Sequence, residues 1–336
     1  MLPILGQNSL KDSYGRAIRD LRISITDRCN FRCIYCMPET GVKWKQKSEI
    51  LSYEELTFLT EVFVSLGITK IRVTGGEPLL RRGVVRFIES LAKIPGIEDL
   101  AMTTNAYFLP EFAEKLSKAG LKRVSISIDS LRPRSFELLT KVNALDRVLA
   151  GIEAARKYNL TPIKVNMVVM RGINDLEIVD FATFARKYGL VARYIEYMPL
   201  DGPGEWRREM VVSGKEIYEQ INEHYPLVPL HPNHKSETAR RYGFADGTAG
   251  EIGIIAPVTE PFCGACSRIR LTADGQIRTC LFSLNEHNLR DLLRNGANRT
   301  DIVDFIAEAV LKKEAGHRIN EPDFIPPERT MSCIGG

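Results

Sequence analysis

Six of the seven cysteines in this 336-residue chain fall into two groups whose spacing suits metal chemistry. Cys29, Cys33 and Cys36 form a Cys-x-x-x-Cys-x-x-Cys run, and Cys263, Cys266 and Cys280 form a second trio far downstream. Each trio is one thiolate short of closing a tetrahedral zinc site or filling the four corners of a 4Fe–4S cluster. A metal site that lacks one protein ligand keeps a position for a reactant, so two such sites point to chemistry rather than scaffolding. Cys333 stands outside both groups and reads as a surface thiol.

The elements that must position these thiols follow from the hydrophobic pattern. Short β-branched runs at 21–26, 70–74, 99–104, 123–129, 163–170 and 192–197 read as strands. Helical patterns at 52–66, 79–92, 110–119, 144–158 and 176–188 lie between them. The first of these helices opens with Ser52 and Glu55, a capping-box signature. Repeated strand–helix alternation predicts parallel strands with right-handed crossovers. Six such units are fewer than a closed eight-stranded barrel needs, so the expected fold is α/β, a partial (β/α)6 TIM-like barrel with a smaller α+β C-terminal domain. The regular pattern ends at the turn-rich junction Asp201-Gly202-Pro203-Gly204. The expected division is an N-terminal extension over 1–20, a barrel over 21–200 and a C-terminal domain over 201–336. Within the last, a helix is expected at 214–224 and strands at 239–244 and 251–256. A hairpin, 269–272 with 277–281, turns at Asp274-Gly275; helices follow at 288–295 and 301–312, then an extended tail over 325–336.

Composition limits the function classes. The chain is 44% hydrophobic and 26% charged, which fits a globular protein rather than a disordered one. A net charge of +4 is too small to call for nucleic acid, yet compatible with a local basic patch facing a phosphorylated substrate. No apolar run is long enough to span a membrane, and 1–5, broken by Pro3, lacks the plan of a signal peptide. The expected location is cytoplasmic, where clustered cysteines serve as metal ligands or redox groups rather than structural disulfides.

The first trio starts three residues after the first expected strand, and in α/β barrels the loops after the strands carry the chemistry. Thr74-Gly75-Gly76-Glu77-Pro78 sits in the same position after the second strand, with glycines that allow close backbone approach. This combination resembles the radical S-adenosylmethionine enzymes. The resemblance implies that Cys29, Cys33 and Cys36 hold a 4Fe–4S cluster that binds S-adenosyl-L-methionine (SAM). Further matches lie at 21–33, at Cys36-Met37-Pro38, at Ile195-Glu196-Tyr197-Met198-Pro199, at Phe262-Cys263-Gly264-Ala265-Cys266-Ser267-Arg268-Ile269-Arg270 and at the terminal Gly335-Gly336. With these the chain resembles, within that class, the GTP-cyclising family that opens molybdenum cofactor biosynthesis.

The family resemblance implies the rest of the site. Cys263, Cys266 and Cys280 would hold a second 4Fe–4S cluster. Tyr35, Gly76, Ser127 and Met198 would line the SAM site; Arg22, Arg72, Thr103, Lys164, Arg268 and Arg270 would contact GTP, with Arg268, Arg270 and Lys164 acting at the reacting centre. An electron donor and a downstream cyclic pyranopterin monophosphate synthase would be partners, and the assembly a monomer or homodimer, with no nucleic acid or membrane. The Gly-Gly tail is expected to reach the active site. Independently of the resemblance, a strand through Arg268 and Arg270 would point both guanidiniums to one face, where they could grip an anion. One departure stands out: the family has Thr-Thr-Asn-Gly after the third strand, and this chain has Thr103-Thr104-Asn105-Ala106. At a positive backbone φ that alanine costs roughly 1 kcal/mol. Two rival readings remain: a radical enzyme that modifies peptides or sulfatases, and a zinc-stabilised nucleic-acid-binding protein.

Overall fold

The computed structural model describes residues 9–37, 44–200 and 206–335. The junction expected at 201–204, Pro38 and Gly336 therefore lie outside the described residues. The six expected strands form where the pattern places them: β1 (Asp20–Ser24), β2 (Lys70–Thr74), β3 (Asp99–Thr104), β4 (Arg123–Ser127), β5 (Lys164–Val169) and β6 (Val191–Glu196). They are joined by α1 (Tyr53–Ser65), α2 (Val84–Ala92), α3 (Leu109–Lys118), α4 (Pro133–Thr140), α5 (Leu145–Lys157) and α6 (Ile178–Tyr188). The later elements are α7 (Gly214–His224), β7 (Leu227–Leu230), β8 (Arg240–Phe244), β9 (Glu251–Ile255), β10 (Arg268–Leu271), β11 (Gln276–Arg278), β12 (His287–Asn288), α8 (Leu289–Arg294), α9 (Arg299–Leu311) and α10 (Met331–Ile334).

All described strands belong to one sheet, in the order β12-β11-β10-β1-β2-β3-β4-β5-β6-β9-β8-β7. The stretch from β10 through β1–β6 to β9 is parallel throughout. The C-terminal strands thus form no separate sheet. They extend the six-stranded arc at both edges, with antiparallel pairs β10–β11 and β8–β9 beyond. Since β9 and β10 each pair outward with β8 and β11, the barrel stays open.

Strand alternation explains why the arc encloses a site rather than a solid core. Leu21 and Ile23, Ile71 and Val73, Val124 and Ile126, and Val165, Met167 and Val169 are buried within the main hydrophobic cluster. The alternate positions carry Arg22, Arg72, Ser125, Ser127, Asn166 and Arg193, which line the interior cavity. A parallel sheet buried on both faces normally reads as continuous apolar runs. Here a period-2 polar face survives, and it faces inward. Glu196, at the end of β6, ties the C-terminal region to this arc: its buried carboxylate accepts from the backbone N–H groups of Gly214 (2.8 Å), Val258 (2.8 Å) and Thr259 (2.9 Å).

Four expectations need correction. The helix anticipated at 79–92 is split into a 3-10 turn at Pro78–Leu80 and α2, because Gly83 between them adopts φ +88°. The short α4, opened by Pro133, and β7, which contains Pro229, escape the pattern because proline reads as a breaker. The tail is not extended throughout: α10 turns once, and Met331 and Ile334 pack with Leu200, Val258 and Phe282. Cys333 on that turn is half-buried rather than a surface thiol, and its sulfur accepts from Thr330 Oγ1 at 3.6 Å.

Candidate active site

One cavity inside the arc is lined by fifteen of the sixteen residues singled out above: both cysteine trios, Tyr35, Gly76, Ser127, Met198, Arg22, Arg72, Thr103, Arg268 and Arg270. Lys164 is the exception. It lines a smaller adjoining cavity that shares Arg22, Arg72, Arg193 and Arg268 with the first. Residues almost 250 positions apart therefore meet, because β10 returns to lie parallel beside β1, with Arg22 and Arg270 in register.

The first trio lies on the loop after β1. Its seating depends on the two glycines after β2. A Cβ on Gly75 would stand 2.6 Å from the Thr26 carbonyl oxygen, and one on Gly76 would collide with the backbone carbonyls of Asp27 and Arg28. The close approach these glycines permit is thus to the cysteine loop itself, where Gly76 N–H donates to Thr26 O (2.7 Å) and Glu77 N–H to Arg28 O (2.8 Å). Glu77 is fully buried, accepting from Asn105 N–H (2.7 Å), Leu79 N–H (3.0 Å) and Thr104 Oγ1 (2.8 Å). Burial still raises its carboxyl to about 7. Burial and then the Glu77 charge push the Cys29 thiol up to about 11, and Cys33 and Cys36 are raised mainly by burial. Asp129, at φ +60° beyond β4, accepts from Tyr35 Oη at 2.5 Å and Val168 N–H at 2.8 Å, with its own carboxyl raised by burial to about 6.

The second trio has cationic neighbours. Burial opposes ionisation of Cys266, yet Arg268 and Lys313 outweigh it and bring the thiol down to about 7. Arg268 Nη2 lies 3.4 Å from Cys266 Sγ, and its guanidinium sits over the Phe262 ring. Lys313 is buried and donates to the carbonyls of Arg268 (3.1 Å) and Thr279. From the N-terminal segment, Arg16 donates to the carbonyls of Cys263 (2.8 Å), Glu314 (2.5 Å) and Ala315 (2.7 Å), while Asp12 holds its Nε. Arg268 and Arg270 share one face of β10, as the period requires, and Arg270 Nη1 donates to the Gly335 carbonyl at 2.6 Å. The first glycine of the tail is therefore tied to an arginine that lines the cavity.

The cavity floor is a cluster of buried cations that outnumbers the carboxylates Asp20, Asp99 and Glu237 lining it with them. Arg22 and Arg72 are depressed well below the usual guanidinium range, first by burial and then by neighbouring arginines. Arg193 and Arg270 fall to about 10, and Lys164 to about 7, from burial followed by repulsion from nearby arginines. Arg72 is held by Ser125 Oγ at 2.9 Å. Such an assembly is costly unless an anion enters, and several adjacent charges match a polyphosphate. Arg193, Asp129 and Lys313 were missed from the sequence. Strand parity would have found Arg193, two residues before Ile195 on the inward face of β6.

Donor chemistry and placement fit an iron–sulfur cofactor at the first trio. Its three thiols form no disulfide, are partly buried and open on the cavity beside the Gly75-Gly76 turn. A single zinc ion would draw its sulfurs to about 2.3 Å from one centre. No three His, Cys, Asp or Glu side chains among the described residues are grouped to hold one metal ion.

Comparison with known proteins agrees. Residues 23–185 match the family described as the radical SAM superfamily, and residues 190–319 match Molybdenum Cofactor Synthesis C. Among solved structures, Streptococcus suis SuiB bound to its precursor peptide SuiA superposes with a TM-score of 0.66 at 13% identity, covering 94% of this chain and 76% of that one. The enzyme anSMEcpe with bound AdoMet superposes at 0.62 and 14%, covering 90% and 79%. At such identities the likeness speaks for the fold. Fold and site together define a radical SAM enzyme with a partial TIM barrel. Full-length relatives narrow the class: GTP 3′,8-cyclase of Thermodesulfovibrio yellowstonii is 47% identical over 97% of this chain and 100% of its own length, and that of Streptomyces coelicolor 43% over 98% and 97%. The chain belongs to the GTP 3′,8-cyclase family.

Proposed function

We propose that this chain converts GTP into (8S)-3′,8-cyclo-7,8-dihydroguanosine 5′-triphosphate, the first step of molybdenum cofactor biosynthesis, acting as a lyase. The observation that carries this reading is the cation-lined floor beneath two thiol trios in one cavity. A 4Fe–4S cluster on Cys29, Cys33 and Cys36, with SAM, supplies a 5′-deoxyadenosyl radical when bound. Tyr35, Gly76, Ser127 and Met198 line the SAM side in this reading. Arg22, Arg72, Lys164 and Arg193 take the triphosphate, and Thr103 contacts GTP. Arg268 and Arg270 orient the nucleotide below Cys263, Cys266 and Cys280, which hold a second 4Fe–4S cluster. Fixing ribose C3′ against C8 of the same purine makes ring closure intramolecular, so orientation provides much of the rate. The buried cations replace the water that would otherwise solvate the phosphates.

The same reading gives the chain an electron donor, a cyclic pyranopterin monophosphate synthase that consumes the product, a cytoplasmic location, and a monomeric or homodimeric state. Among the described residues no helix is long and apolar enough to cross a membrane. It also keeps the division into an extension over 1–20, a barrel over 21–200 and a C-terminal domain over 201–336, with the second sharing its sheet with the third. Anaerobic reconstitution followed by SAM, reductant and GTP should yield 5′-deoxyadenosine and the cyclised nucleotide. Deoxyadenosine without any GTP-derived product would overturn the assignment.

A further inference from the structure

Arg16 reaches the second thiol trio from the N-terminal segment, 247 residues away in the chain from Cys263. The stretch from Asp12 to Arg16 is a closed turn. Asp12 Oδ1 accepts from the backbone N–H groups of Tyr14 (3.0 Å) and Arg16 (2.9 Å), and Oδ2 takes Arg16 Nε at 2.5 Å. Both side chains are buried, 7% exposed for Arg16 and 0% for Asp12. The rest of the guanidinium is spent on main chain: Nη1 donates to the carbonyls of Cys263 and Ala315, and Nη2 to that of Glu314. A buried ion pair is on balance a weak source of stability, whereas a planar fork fixes several acceptors at set positions.

What the fork fixes is a set of thiols that are not neighbours in the chain. Cys263 and Cys266 precede β10, and Cys280 follows β11. Residues 313–316, just after α9, form a strut between them. At one end Gly316 lies against Cys263, where an added Cβ would stand 3.1 Å from Cys263 Cβ and 3.5 Å from its sulfur. At the other end the Glu314 carboxylate accepts from Thr279 Oγ1 (2.7 Å), and Lys313 donates to the Thr279 carbonyl, next to Cys280. Arg16 joins this strut to the Cys263 carbonyl through a single guanidinium. The same N-terminal segment holds the far side of the cysteine loop, where Arg19 N–H (2.9 Å) and Asp20 N–H (3.0 Å) both donate to Ser267 O.

We propose that Arg16, seated on Asp12, is the positioning residue of the second trio. It holds Cys263 against the strut so that its thiol converges with those of Cys266 and Cys280. This rests on the reading above that these three thiols hold a second 4Fe–4S cluster. Two backgrounds separate the trios after anaerobic reconstitution: Cys29→Ala leaves iron on the second, and Cys266→Ala leaves it on the first. In each, Arg16→Gln is compared with the intact arginine by iron and sulfide content, by EPR of the reduced protein and by the rate of iron release to a chelator. In the Cys29→Ala background Arg16→Gln should speed iron release at least about tenfold, as expected when an outer partner of a metal ligand is removed. In the Cys266→Ala background the release rate, the EPR signal and SAM cleavage should be unchanged. Equal acceleration in both backgrounds would make Arg16 a general support of the fold, and no acceleration in either would leave it without a part; both results overturn the proposal. If the glutamine variant does not fold, Arg16→Lys is read in its place, because it keeps the charge and loses the planar fork. A Cys29→Ala protein that takes up no iron with Arg16 intact fails the second cluster itself, whereas a loaded one indifferent to Arg16 fails only the role of the arginine.

Discussion

Around Cys29, Cys33 and Cys36 the charged neighbours include Glu77, Asp129 and the other thiols, and burial raises all three sulfurs. Around Cys266 and Cys280 the neighbours include Arg268 and Lys313, and Cys266 comes down to about 7, although Cys280 remains raised by burial. Cys266 and the thiols of the first trio thus sit in opposite fields within one cavity. Burial disfavours the thiolate form throughout the first trio, so a bound cation would have to offset it. The second carries built-in positive charge, continuous with the arginine floor, and suits an electron-rich, anionic partner. A buried carboxylate after β2, Glu77, and a buried lysine after α9, Lys313, divide the labour.

The contrast can be broken most sharply at the ligands. Cys29→Ala should abolish 5′-deoxyadenosine formation, a loss of at least about a thousandfold, while Cys266→Ala should keep SAM cleavage and about four irons per chain yet make no cyclised GTP. Loss of SAM cleavage in both variants would mean the trios do not act separately. In metal-free protein, alkylation at pH 8 should mark Cys266 well before Cys29, since pKa values of about 7 and about 11 differ by orders of magnitude in thiolate. Lys313→Met should move the Cys266 titration upward; an unchanged midpoint would remove the lysine from the account.

Smaller effects sharpen the comparison at the floor and the first loop. Lys164 titrates near 7 in the free protein, and a bound triphosphate must raise that value. Binding then takes up a proton above pH 7, so GTP affinity should fall as pH rises, by up to about tenfold per unit. Lys164→Met should flatten that slope. Ala106, beside the Asn105 whose Nδ2 lies 3.8 Å from Cys29 Sγ, has φ +61°, the condition under which the alanine is strained. Ala106→Gly should stabilise by up to about 1 kcal/mol in denaturant melts, less whatever packing the methyl provides. A clear destabilisation would show that packing dominates.

Much of this was legible in the residues. The cysteine spacing, the Gly75-Gly76 turn and the six strand–helix units appear in the chain at their final positions, because each depends on local period and turn chemistry. Arg72 and Thr74, or Arg268 and Arg270, could be set on one face by counting alone. Other features were invisible for a physical reason. At Gly76, only packing shows that the Asp27 and Arg28 carbonyls take the space a Cβ would need. Arg16 reaches carbonyls from residues 263 to 315, a partnership with no sequence signal.

What the sequence determined by itself is the inventory and its local order: two thiol trios, a strand alternation with a polar side, and glycines where the chain turns back closely. The tertiary structure decided which groups share a cavity and what charge each feels. Burial and long-range pairing depend on β10 returning beside β1 and β9 beside β6. Those contacts join distant parts of the chain, so the depressed Lys164 has no counterpart in local pattern.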